Sequence, residues 1–178
     1  MARSWSVRCA AVAGIAVAAR LAAAAGGVPS PKEILGMDVG QNRVLADYQE
    51  SARYLRELAQ RSKRVRLIEM GPTVEGRTML AVAISATSNI ERLDELRRGW
   101  ARIADPRGLD VAARERLIAT LPSCALITAG IHANEVAGPQ SALLLAFELA
   151  DAQPGTAEAE WLERTVVLLV PSLNPDGQ

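Results

Sequence analysis

The sequence predicts an α/β domain in which helices cover both faces of a mixed sheet, a three-layer α/β/α arrangement. Three observations point there. Two short continuous apolar runs, CALITAG (124–130) and TVVLLVPS (165–172), read as buried strands covered on both faces. Two further β-prone runs flank the polar, Gly-containing stretch PTVEGR (72–77), as in an antiparallel hairpin. Segments of helical spacing stand before and between these runs, the alternation of an α/β sheet.

Each element has its own signal. GGVPSPKEILGMDVGQ (26–41) is rich in Gly and Pro and reads as an irregular lead-in. From Val44 to Ser62, apolar residues recur at Val44, Leu45, Tyr48, Ala52, Leu55, Leu58 and Ala59, one face of a helix. The basic run RSKR (61–64) suits that helix's C-terminus. VRLIEMG (65–71) and TMLAVAIS (78–85) are the hairpin strands, and the charges of the EGR turn read as solvated surface. Asn89 to Ala104 reads as an amphipathic helix with Ile90, Leu93, Leu96, Trp100 and Ile103 on one side, ended by DPRGLD. Val111 to about Thr120 is a short helix. GPQSALLLAFELAD (138–151) is a helix whose Pro139 sits in the first turn, where its missing N–H costs nothing. AEAEWLER is a short helix, and LNPDGQ is turn chemistry.

Of 178 residues, 49% are apolar and 3% aromatic, a globular composition with an aliphatic core rather than a disordered one. Basic and acidic residues are 20 each, so no charge excess points to a nucleic-acid partner. Residues 1–25 read as a signal peptide: Arg3 and Arg8 precede the apolar run CAAVAGIAVAA (9–19), and RLAAAAGG offers small residues for cleavage near Ala25. The run is too short for a membrane span. The expected mature domain, residues 26–178, is therefore exported, secreted or periplasmic, with 17 basic and 20 acidic residues. It keeps one cysteine, Cys124, expected to be buried, so an intrachain disulfide and a cysteine-based metal cluster are excluded.

The chemistry concentrates in LITAGIHANEVAGPQ (126–140). His132 is the only histidine of the chain, and Glu135 follows three residues later. Both lie just past a predicted strand and before a helix, where open α/β sheets place their sites, and Gly130 lets the backbone turn sharply. Imidazole nitrogen and carboxylate oxygen both suit zinc, and a catalytic zinc takes three protein ligands plus water. Taken alone, H-x-x-E is more often a surface hydrogen-bond pair than a metal site.

Three stretches in order resemble the zinc metallocarboxypeptidase family over roughly residues 31–178. MGPTVEGRTMLAVAIS resembles its strand–turn–strand, GIHANEVAGPQ its first zinc segment, and VPSLNPDG the downstream strand-to-loop segment. The resemblance implies a carboxypeptidase-like fold, Zn2+ as cofactor, His132 and Glu135 as zinc ligands, and a peptide or protein substrate. Asn134 stands where the digestive branch has an arginine, and PSLNPDG is closer to the regulatory and bacterial exported branch.

The family's second zinc His, its substrate-binding arginines and its general base follow the NPDG turn, where only Gln178 stands here. No catalytic residue is therefore assigned within the chain, which reads as the N-terminal part of a catalytic domain, truncated at its C-terminus. The short chain is expected to be inactive and to leave an apolar sheet edge near TVVLLVPS. An N-acyl amino acid amidohydrolase of the aspartoacylase or desuccinylase type resembles the same zinc segment, but VPSLNPDG favours the peptidase. A non-catalytic binding module on the same fold is the remaining alternative. There is no G-x-S-x-G elbow for a serine hydrolase and no strand-linked G-x-G-x-x-G for a dinucleotide.

Overall fold

The computed structural model describes residues 27–178, so the predicted signal peptide, residues 1–25, lies outside the described residues. Among the described residues, nine strands and helices of more than five residues emerge where local chemistry favours them. Ahead of them, the lead-in holds one short helix, α1 (Pro31–Leu35), opened by the Ser30 side chain and closed by Gly36 in the left-handed region. α2 (Tyr48–Arg61) begins four residues later than the apolar spacing suggests. Asp47 accepts the Glu50 N–H at 2.8 Å and Glu50 returns a bond to the Asp47 N–H at 3.1 Å. This reciprocal cap sets the helix start.

β1 (Val65–Pro72) and β2 (Thr78–Ile84) form the expected antiparallel hairpin. The predicted 89–104 helix is divided into α3 (Thr87–Glu91) and α4 (Leu93–Ala104). The division has a visible cause. Asn89 is buried, and its amide donates to Ser85 Oγ and to the Leu162 and Glu163 carbonyls. That anchor fixes the first turn, while Leu93 and Leu96 dock separately on the sheet. α5 (Val111–Thr120), β3 (Ser123–Thr128), α6 (Ala137–Ala150), α7 (Ala157–Arg164) and β4 (Thr165–Val170) follow, with a 3-10 turn at Pro175–Gly177.

The sheet order is β1-β2-β4-β3, with β2 antiparallel to both β1 and β4, and β3 parallel to β4. Alternation along the two central strands divides the core. Val82, Ile84, Val167 and Leu169 face α2 and α6, packing with Tyr54, Leu55, Leu58 and Leu143. Ala83 and Val166 face the other way, onto Leu93 and Leu96 of α4. The result is the three-layer α/β/α fold with a mixed sheet.

Two expectations are corrected. β3 is not covered on both faces: among the described residues it pairs only with β4, while α6 packs over β2 and β4. Leu126 is 66% exposed and Ile127 39%. Cys124, expected to be buried, is exposed for the same reason. The apolar edge therefore lies at β3, not at TVVLLVPS, because β4 is flanked on both sides.

Gln140 of α6 shows how tightly the lead-in is held. Its buried amide donates to the Ala46 carbonyl at 2.8 Å and accepts the Ala46 N–H at 3.0 Å. Gln140→Leu would leave both backbone groups without partners. We expect it to destabilise the fold by about 1–3 kcal/mol in urea unfolding. A loss under about 0.5 kcal/mol would show that water replaces the amide.

Candidate metal site

Strand direction assembles the site. β1, β3 and β4 run the same way, so three connections emerge at one sheet edge: the hairpin turn after β1, the loop after β3 and the turn after β4. This is the carboxyl edge of the parallel pair, where α/β sheets carry their sites.

The loop after β3 holds the two sequence-predicted residues, and the structure brings them together. His132 Nδ1 lies 2.8 Å from Glu135 Oε1. The His132 N–H donates to Glu135 Oε2 at 3.2 Å, and the Glu135 N–H donates to the His132 carbonyl at 3.1 Å. The pair is a closed turn with both side chains in solvent, 70% and 51% exposed. The His132 ring and then its backbone N–H hold the Glu135 carboxyl below the usual carboxylate range, so Glu135 is an anion at neutral pH.

Gly130 starts this turn with φ +61°, a conformation that L side chains rarely adopt. A Cβ there would also stand 2.8 Å from Pro139 Cγ and 3.2 Å from Ser172 Oγ. The loop thus packs directly on the first turn of α6 and on the segment after β4. Ser172 Oγ is buried at that junction and has no hydrogen-bond partner among the described residues.

The segment after β4 is zipped to the loop by backbone bonds. The Leu173 N–H donates to the Ala129 carbonyl at 2.9 Å and the Asn174 N–H to the Gly130 carbonyl at 3.0 Å. On its far side this segment presents Asp176 to the hairpin turn. Asp176 Oδ1 accepts from Thr73 Oγ1 at 2.6 Å and from Arg77 Nη1 at 2.8 Å, and Oδ2 accepts the Glu75 N–H at 3.1 Å. Arg77 also bonds Glu75. The EGR turn is therefore not merely solvated surface. No local pattern announces this cluster, because its members are about a hundred residues apart.

The Thr73 hydroxyl, with Arg77 beside it, holds the Asp176 carboxyl below its ordinary range. A depressed carboxyl adds stability that is complete above its unfolded value, about pH 4, and is lost as pH falls through the lower folded value. Thermal unfolding of the wild-type chain should therefore weaken more steeply below about pH 4 than that of Asp176→Asn. Superimposable acid profiles would remove Asp176 from the acid response.

Two donors alone hold zinc poorly, and among the described residues no group of three His, Cys, Asp or Glu could hold a metal ion. The donor types nonetheless fit. At ordinary zinc bond lengths, two tetrahedral ligands stand about 3.4 Å apart, so a small opening of the 2.8 Å pair admits an ion.

Comparison with known proteins adds the following. The family model described as zinc carboxypeptidase matches residues 51–178. A search of curated proteins finds no match. Among solved structures, carboxypeptidase A from Helicoverpa armigera is similar with TM-score 0.52 at 18% identity, over 82% of this chain and 31% of that one. Thrombin activatable fibrinolysis inhibitor (TAFI) is similar with TM-score 0.55 at 13% identity, over 83% of this chain and 31% of that one. At such identities these likenesses establish the fold alone. The chain spans about a third of the length of these structures.

Proposed function

Because the chain belongs to the zinc carboxypeptidase family, we propose that His132 and Glu135 are two protein ligands of a zinc ion in an exported metallocarboxypeptidase that releases C-terminal residues from peptides. The observation that carries this reading is the convergence of the single imidazole and an ionised carboxylate to 2.8 Å at the carboxyl edge of the β3–β4 pair.

This chain's own contribution is to hold and aim those two donors. Gly130 turns the backbone out of β3, the reciprocal 132–135 backbone bonds close the loop, and α6 and the Leu173–Asn174 segment pin it from behind. Glu135 brings negative charge to balance a divalent cation. Zinc, when bound, supplies Lewis-acid polarisation of a carbonyl and acidifies water. In this reading the third ligand, the carboxylate-binding arginines and the general base come from sequence following Gln178. Asn134 and PSLNPDG support the regulatory-type branch over the digestive one. Export rests on the basic start, apolar run and Ala-rich stretch of residues 1–25. Among the described residues, no helix is long and apolar enough to cross a membrane.

The test compares the 178-residue chain with the protein extended through its downstream coding sequence, both with added zinc. Release of C-terminal amino acids from peptides is expected only from the extended form. A missing general base by itself lowers turnover by about 10²–10⁴-fold. Cleavage of N-acyl amino acids in place of peptides would transfer the assignment to the amidohydrolase reading. Zinc-dependent peptide turnover by the short chain at the extended chain's rate would refute the proposed division of the site.

A further inference from the structure

We infer that the β1–β2 turn is a positioning element of the metal loop, acting through Asp176; this rests on the zinc reading of His132 and Glu135. The argument is one of mechanical continuity. The loop after β3 is exposed, and among the described residues the only side-chain hydrogen bonds of its two donors are to each other's residue. Beside its packing on the first turn of α6, the loop is held by its backbone seam with residues 173–174. That segment then bends through the 3-10 turn, where a Cβ on Gly177 would stand 3.1 Å from Ala133 Cβ, inside the His132–Glu135 turn itself. The turn after β4 and the metal loop are therefore packed and bonded as one unit.

Asp176 ties this unit to the sheet. All of its recorded partners belong to the hairpin turn: the Thr73 hydroxyl, the Arg77 guanidinium and the Glu75 N–H. The turn is itself rigid. The Thr73 N–H donates to the Arg77 carbonyl at 2.8 Å, the Arg77 N–H to Thr73 Oγ1 at 3.0 Å, and the Gly76 N–H to the Thr73 carbonyl at 3.0 Å. Thr73 Oγ1 accepts from the turn and donates to Asp176, which couples the two. The Asp176 and Arg77 side chains are only 20% and 31% exposed, more shielded than the other recorded ion pairs. A charge-assisted, multidentate grip of this kind restrains geometry as well as adding energy. Partners outside the coordination sphere commonly set ligand orientation and carry 10- to 100-fold in metal affinity.

The experiment uses the full 178-residue chain, whose only imidazole is that of His132, so one set of ring NMR signals reports the site. Zn2+ alone is titrated into wild type, Arg77→Met, Arg77→Lys and Asp176→Asn, with Val65→Ala as a destabilised control remote from the loop. The expected result is about tenfold weaker zinc binding at the imidazole in Arg77→Met and Asp176→Asn. Arg77→Lys, which keeps a cation, should recover most of it, and Val65→Ala should bind as wild type does. Unchanged affinity, no recovery by lysine, or a loss that Val65→Ala reproduces in proportion to its lowered stability would overturn the inference. If zinc leaves the wild-type ring signals unmoved, the two donors of this chain do not hold the ion unaided, and the zinc reading is decided by zinc content of the extended protein. The positioning role is then judged by amide exchange at Asn174 and Glu135. Exchange about tenfold faster in Arg77→Met and Asp176→Asn than in wild type supports it, and unchanged exchange overturns it.

Discussion

His132→Ala should abolish zinc retention by the extended protein and lower its turnover by more than 100-fold. That exceeds the effect of groups outside the coordination sphere, because a ligand itself is removed. His132 is the only imidazole of the 178 residues, so no other ring in this chain can take its place. Its side chain is 70% exposed and buries little apolar surface, so the fold should tolerate the change within about 0.5 kcal/mol. Glu135→Gln is the companion variant. It keeps the shape of the turn but removes the charge that faces the cation, and it should weaken zinc binding without changing the unfolding midpoint. Zinc content of the extended protein after dialysis and its unfolding curve together separate loss of a ligand from loss of structure. Stoichiometric zinc retained by folded His132→Ala would remove His132 from the site.

Leu169→Ala should be the most destabilising of the core changes considered, by about 2–5 kcal/mol. Leu169 is fully buried in β4, opposite Val82 of β2 on one side and Ile127 of β3 on the other. It points into the layer closed by α2 and α6, where Tyr54, Leu55, Leu58 and Leu143 are also inaccessible. Truncation removes transfer energy and leaves a cavity that a strand bonded on both sides cannot collapse to fill. For a chain of this size the midpoint of thermal unfolding should fall by about 5–20 °C. Leu126→Ala supplies the contrast, since the same residue type on the β3 edge is mostly exposed and should cost less than about 0.5 kcal/mol. Equal effects at the two positions would mean that the burial contrast between β4 and β3 does not hold in solution.

The sequence by itself determined what local chemistry controls. The turn PTVEGR between two β-prone runs yields the β1–β2 hairpin, and α5 and α7 span the predicted residues, because side-chain period and capping act within a few residues. The His132–Glu135 turn was legible for the same reason: three residues in a tight turn have few ways to separate their side chains. Tertiary structure alone decided the rest. CALITAG and TVVLLVPS have almost the same apolar character, yet β4 is central and β3 is an exposed edge. Strand order is set by pairing across the sheet, which an apolar run does not encode. The break at Arg92 depends on Asn89 reaching carbonyls more than seventy residues away. The grip of Thr73 and Arg77 on Asp176 joins residues that approach only because β1 and β4 run in the same direction. Contacts that span the chain are selected by the global minimum of packing and hydrogen bonding, not by any window of sequence that contains one partner without the other.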